Sequence, residues 1–240
     1  MQIIIPMAGR GRRFSEQGFS KPKPLIEING KPMIQLVIEN LNIDAHYTFI
    51  CQKEHYDKFL LDDFLYTIKP DCNIIHIDEI TDGPASTVML AKKFFNNDEE
   101  LIIANSDQFV EWNSAEFLSF LRRKNADGGI LTFEAYDDKW SFVKINDLGY
   151  VTEVAEKKPI SNIATVGIYY YKKGRFFVEA AENMMKKNIR INNEFYVAPA
   201  YNEMIQNGKQ ICIFNVQKMY GLGTPDDLQL YLSSHGTTKK

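Results

Sequence analysis

Cysteine is scarce and scattered. The 240-residue chain has three, Cys51, Cys72 and Cys212. An odd number without ligand spacing excludes a disulfide framework and a thiolate metal site, and suits a reducing cytoplasm. The four histidines, His46, His55, His76 and His235, show no ligand spacing either and are read as structural or exposed. No segment approaches the roughly 20 apolar residues of a membrane span. The first apolar run is too short for a signal peptide and its charges follow it, so the expectation is a cytoplasmic chain without membrane insertion. Neither sign of charge dominates: 28 Lys and Arg stand against 31 Asp and Glu, a net charge of −3. No overall basic excess argues for a nucleic-acid partner. Internal repeats, low-complexity tracts and convincing linkers are absent as well.

What is present is an ordinary globular composition, 45% hydrophobic and 25% charged. The length fits one large α/β domain. Ile3-Ile4-Ile5 suits a buried strand, because β-branched residues sit side by side. Further strands are predicted over 46–51, 73–77 and 101–104, and helices from Pro32 to Leu41 and over 54–66 and 84–95. An extended piece over 25–28 ends in the Asn29-Gly30 turn. Strand and helix alternating at this spacing imply a doubly wound, mostly parallel sheet of Rossmann-like type, with ligands at the carboxyl ends of its strands. The second half is less regular. Helices are predicted over 115–124, 176–187, 197–207 and 225–232. Strands are predicted over 129–135, 165–171 and 209–214. A hairpin over 141–155 turns at residues 146–149 and gives a smaller antiparallel element. Residues 233–240 have no apolar side and are expected to be a loose tail.

The chain is organised around residues 1–34. After the isoleucines come Ala8-Gly9-Arg10-Gly11-Arg12-Arg13, a polar loop, and Lys21-Pro22-Lys23-Pro24. Glycines let backbone come close to a ligand. Five cations, Arg10, Arg12, Arg13, Lys21 and Lys23, crowd one loop and call for a polyanion, with nucleoside triphosphate the obvious candidate. No G-x-x-x-x-G-K-[ST] occurs. The dinucleotide fingerprint also fails, because Phe14 stands where its third glycine belongs.

Three ordered pieces remain: Ala8 to Phe14, then Pro22-Lys23-Pro24-Leu25, then Gly30-Lys31-Pro32-Met33-Ile34. Together they resemble the sugar-phosphate nucleotidyltransferases, whose pattern is close to L-A-A-G-x-G-T-R-L, P-K-P-L and G-K-P-M-I. The resemblance implies a nucleotide-diphospho-sugar transferase fold over 1–232. Residues 1–110 would be the nucleotide-binding half and 111–232 the acceptor-binding half. It puts Arg13 and Lys23 at the catalytic positions, and Ala8, Gly9, Arg10, Gly11 and Arg12 against the nucleotide. Fixed cations that hold two phosphates in line suit attack of one on the α-phosphorus of the other, with no protein nucleophile.

Further matches continue down the chain. Gly83-Pro84-Ala85 resembles the segment that lies against base and ribose. Asp78 stands where thymidylyl enzymes carry a base-reading glutamine. A carboxylate only accepts hydrogen bonds and cytosine offers an amine, which favours CTP; the alternative is that Asp78 merely ends a strand. Ser106-Asp107 resembles the G-D segment, with Asp107 the expected Mg²⁺ ligand. Glu156-Lys157 and Gly167 resemble the E-K-P and G-I-Y segments that meet the acceptor phosphate and its sugar.

Two departures stand out. Gly221 replaces the second metal-binding Asp of W-x-D-x-G-T, so either one carboxylate suffices or another substitutes; Glu194, placed with the acceptor-binding residues, is the candidate, with a helix-start Glu as the plainer reading. Trp140-Ser141 stands where the sugar enzymes of the family commonly carry Tyr-Gly, whose glycine makes room at the sugar; its loss speaks against an ordinary hexose 1-phosphate and for a polyol phosphate or other small phosphate. The expected protein is a single-domain, Mg²⁺-dependent enzyme that joins an NTP to a small phosphorylated sugar or polyol for surface-polysaccharide synthesis. Oligomeric state leaves no mark, and a homodimer is the default assembly. A glycosyltransferase of related fold and a non-catalytic nucleotide-binding module are the rival classes.

Overall fold

The computed structural model describes residues 1–236. The first half runs β1 (Gln2–Pro6), α1 (Arg12–Ser15), β2 (Glu27–Ile28), β3 (Lys31–Pro32), α2 (Met33–Leu41), β4 (His46–Gln52), α3 (Lys53–Phe59), α4 (Leu61–Ile68), β5 (Asn73–Ile77), α5 (Pro84–Met89), α6 (Lys92–Phe95) and β6 (Leu101–Ala104). The second half adds β7 (Gln108–Glu111), α7 (Ser114–Arg123), β8 (Gly128–Glu134), β9 (Ser141–Ile145), β10 (Val151–Glu156), β11 (Ile163–Tyr171), α8 (Gly174–Lys186), α9 (Ala200–Gln206), β12 (Ile211–Asn215), β13 (Lys218–Gly221) and α10 (Pro225–His235).

Nine strands form one mixed sheet. Its main order is β10-β9-β11-β6-β1-β4-β5, and β8 carries β12 on the far side of β11. β1 is parallel to both β4 and β6, and β4 to β5. β11 runs antiparallel to β6 and β8. The expected parallel half and antiparallel addition are therefore both present, fused into one sheet.

The isoleucine run explains the centre. Ile3, Ile4 and Ile5 have no exposed surface. Side chains alternate across a strand, so Ile4 enters the core on one face and Ile3 and Ile5 the core on the other. Burying each contributes about 1.5–3 kcal/mol.

Several predicted elements are broken or extended. The helix predicted over 54–66 is two helices, split at exposed Leu60, which has a left-handed φ of 52°. The break turns Leu61 and Leu65 fully inward. The helix predicted over 84–95 is likewise split into α5 and α6. Phe95 is drawn so close to Gly174 that a Cβ there would lie 1.8 Å from its carbonyl oxygen. The 197–207 helix begins only at Ala200, after Pro199. The tail expectation fails at its start. Ser233, Ser234 and His235 complete α10, and the His235 ring stacks on Tyr231 at 4.5 Å, one helical turn back. Residues 237–240 lie outside the described residues.

Candidate active site

The strands deliver their carboxyl ends to a cleft of about 1100 Å³. The cationic loop after β1 forms one of its walls. Phe14, only 1% exposed, packs with Tyr220, Leu222, Leu228 and Tyr231 in a small third core. This anchor fixes α1, and the flanking Arg12 and Arg13 stay exposed. Phe14 thus has a structural reason to stand where the dinucleotide pattern wants glycine. Gly11 has φ +60°, and a Cβ there would lie 3.3 Å from Lys23 Cβ, so the glycine lets Lys23 close against the loop. Gly9 has open space around it.

Lys23 and Asp107 meet at the floor. Nζ of Lys23 donates to Oδ2 of Asp107 at 2.8 Å, with the two side chains 20% and 27% exposed. Asp107 follows β6, and the backbone N–H of Leu222 donates to its carbonyl oxygen at 2.8 Å. A small β7–β13 sheet with no local sequence signal brings this about, and in it Gly221 pairs with Gln108.

Of the residues singled out in the sequence, Arg10, Gly11, Arg12, Arg13, Lys23, Pro84, Asp107, Glu156, Lys157, Gly167 and Glu194 all border this cleft. Asp78 does not. It borders a neighbouring cavity of about 580 Å³ with Arg10, Gly11, Arg12, Lys23 and Gln52, so the cationic loop is the partition between the two. Ala8 lies beneath the loop, 7% exposed, its carbonyl accepting from Gln52 Nε2 at 2.8 Å. Ser106 (3% exposed) and Ala85 (fully buried) border neither cavity; they support the site from below. Gly83 also stays out, held against the 191–196 turn: at φ +112°, its Cβ would lie 2.6 Å from the backbone nitrogen of Phe195.

The far end of the cleft is built by the second half. Glu156, at the end of β10, accepts a hydrogen bond from Ser141 Oγ. Burial pushes its carboxyl above the usual carboxylate range. Lys157 follows in a left-handed conformation, φ +52°. Its Nζ donates to the Tyr196 hydroxyl at 2.6 Å, and that hydroxyl donates to Glu194 at 2.5 Å. Gly167 sits where β11 shifts register against β8, with φ +93°; a Cβ there would strike Asn105 Nδ2 at 2.3 Å.

Gly221 stands beside another carboxylate. A Cβ there would lie 3.4 Å from the carboxylate of Asp227 and 3.6 Å from Trp140 Cη2, ordinary contact distances. Asp227, which the sequence reading passed over, borders the cleft, bonds Thr224 Oγ1 at 2.8 Å and pairs with Lys139 at 3.1 Å. The signal available for it was the Thr224-x-x-Asp227 capping spacing. Glu194, the suggested substitute, is engaged with Tyr196. Among the described residues no group of three or more His, Cys, Asp or Glu is arranged to hold a metal.

The sequence pattern of the nucleotidyl transferase family matches residues 2–229. The chain belongs to that family. A bifunctional protein GlmU of Methanocaldococcus jannaschii is 29% identical over 214 residues, covering 87% of this chain and 48% of that protein. The chain thus spans about half the length of the curated relatives of this kind. The UTP–glucose-1-phosphate uridylyltransferase AglF of Haloferax volcanii is 25% identical over 241 residues, covering 95% of this chain and 93% of its own. Among solved structures, a nucleoside-diphosphate-sugar pyrophosphorylase from Vibrio cholerae RC9 superposes with a TM-score of 0.80 at 24% identity, over 96% of this chain and 99% of that one. The inositol-1-phosphate CTP transferase from T. maritima superposes at 0.75 with 13% identity, over 96% and 93%. Family members are sugar-phosphate nucleotidyltransferases, and the structural neighbours share this fold. No described helix is long and apolar enough to cross a membrane.

Proposed function

We propose that the protein transfers a nucleotidyl group from an NTP, CTP in the first instance, to a sugar or polyol phosphate, releasing pyrophosphate. The observation that carries this reading is the partition. One loop bearing Arg10, Arg12 and Lys23 borders both cavities, and Lys23 reaches the Asp107 carboxylate on the side of the larger cleft. Two anions brought to either side of such a loop meet over fixed positive charge. An oxygen of the acceptor phosphate attacks the α-phosphorus, and the bond to the β-phosphate oxygen breaks with its electron pair leaving on pyrophosphate. Arg13 and Lys23 hold the phosphates and offset the charge that builds on the leaving group. A phosphate nucleophile is already ionised, so no protein base is required.

Asp107 offers a single hard oxygen ligand type, which suits Mg²⁺ when substrate phosphates complete its shell, and the Lys23 ammonium on Oδ2 would have to give way on that oxygen. Asp107 would hold the ion, which when bound supplies charge neutralisation at the phosphates. The preference for CTP rests on Asp78, an acceptor-only side chain bordering the smaller cavity. The T. maritima structural neighbour is an inositol-1-phosphate CTP transferase, which supports this choice. The product would serve surface-polysaccharide assembly.

The test is a panel of ATP, CTP, GTP and UTP against glucose 1-phosphate, N-acetylglucosamine 1-phosphate, myo-inositol 1-phosphate and glycerol 3-phosphate, read as pyrophosphate release. Release with CTP and one of these phosphates is expected. No release with any pair would overturn the reading.

A further inference from the structure

In the proposed reaction Lys157 is the cation at the acceptor end of the cleft, on a flexible four-carbon stem. Lysine ammoniums are mobile unless held. Here the holding group is Tyr196. Its hydroxyl accepts from Lys157 Nζ at 2.6 Å, and Lys157 Nζ also stands 4.7 Å from the Tyr196 ring centroid. The phenol proton goes to Glu194 Oε2 at 2.5 Å, which leaves the oxygen lone pairs for the ammonium. Burial and the Glu194 carboxylate both raise the phenol pKa, so the hydroxyl remains a donor to Glu194.

The backbone on both sides is fixed as well. Lys157 has a left-handed φ of 52°, an uncommon state for a residue with a side chain, and its N–H donates to the Trp140 carbonyl at 2.9 Å. On the other side, Phe195 N–H donates to Asp82 O at 2.7 Å and Ala85 N–H donates to Phe195 O at 2.9 Å. Gly83 lies flush against this stretch. Tyr196 is therefore carried by a segment bonded to the loop that opens α5, in the other half of the chain.

We propose that Tyr196 is a positioning residue for the acceptor phosphate: it aims the Lys157 ammonium into the cleft, with Glu194 orienting its hydroxyl. This rests on the nucleotidyl-transfer reading and assigns Tyr196 no contact with the reacting atoms. Loss of the hydroxyl frees the lysine without removing its charge, so the effect falls on acceptor binding.

The experiment is a double-mutant cycle on Tyr196→Phe and Lys157→Ala, using whichever nucleotide and phosphate of the panel turn over. Tyr196→Phe is expected to raise the acceptor KM about tenfold, with nucleotide KM unchanged and kcat within a few-fold. In the Lys157→Ala background the same change should add nothing, because the lysine it aims is gone. An unchanged acceptor KM in Tyr196→Phe overturns the inference. So does an equal, additive loss in both backgrounds, which would mark a merely structural tyrosine. If the unaltered protein turns over no pair at all, the nucleotidyl-transfer reading falls and this inference with it. Turnover with a failed cycle overturns the inference alone.

Discussion

Lys23 Nζ sits 2.8 Å from Asp107 Oδ2 across 84 positions of sequence. The pair joins the cationic loop to the end of β6 and holds the carboxylate in place. Both groups are more than 70% buried, yet they face the cleft, so their contribution to stability is modest, about 1 kcal/mol or less. We predict that Asp107→Asn lowers kcat about 100-fold while thermal unfolding barely changes. Pyrophosphate release and a melting curve on the same preparation check this. Near-normal turnover would remove Asp107 from the chemistry.

Chelation should separate fold from function in the same way. We predict that EDTA abolishes pyrophosphate release and that added Mg²⁺ restores it. The melting temperature should be the same with and without EDTA, because the Lys23 ammonium itself pairs with Asp107 at 2.8 Å. Turnover that persists in EDTA would refute the metal dependence.

Glu156 gives a pH signature. Its carboxyl is raised by burial, against the Ser141 hydrogen bond and the nearby Lys157. The folded protein therefore binds this proton more tightly than the unfolded chain does. Stability from the protonated form is present below the ordinary carboxylate range and is lost as pH rises through the raised pKa. Glu156→Gln cannot lose it. We predict that the variant's melting temperature, relative to wild type, climbs as pH goes from 4 to 7. A difference that is flat or falls with pH would contradict this.

Gly83→Ala tests the bond between the two halves. The new Cβ would lie 2.6 Å from Phe195 N and 2.7 Å from Phe195 O, at a φ of +112°. Strain of about 1–3 kcal/mol is expected, with a lower melting temperature. Because Phe195 precedes Tyr196, the acceptor KM should rise together with the nucleotide KM. A change confined to the nucleotide side would mean that the contact transmits nothing.

A control lies away from the cleft. Glu203 is 3% exposed, and both its oxygens accept from Lys187 Nζ, at 2.9 and 2.8 Å. Lys187→Met strands a buried carboxylate and should cost about 1–3 kcal/mol. Urea melts would measure that loss, and both KM values should stay unchanged.

The first half of the chain was legible because its signals are local. The isoleucine run marks a strand buried on both faces, Pro32 opens a helix, and the glycines and cations of the loop lie next to one another in sequence. What stayed hidden depends on residues that meet only after folding. Nothing near Gln108 announces its pairing with Gly221, and nothing near Gly221 announces that Asp227 and Trp140 lie beside it. Tyr196 was invisible for the same reason: its partner Lys157 is 39 residues away. Leu60 and His235 were misjudged differently. Tertiary burial of Leu61 and the stacking of His235 on Tyr231 outweighed the local pattern.

β11 pairs with β6 along one edge and with β8 along the other, so the first and second halves of the chain share a single hydrogen-bonded sheet. Such a sheet offers no hinge. Rotating one half against the other would tear ladder bonds at the centre of the molecule. Adjustment to a ligand is then left to side chains and to short connecting segments such as the loop from Arg10 to Lys23. Small-angle scattering should accordingly give the same radius of gyration before and after substrates are added.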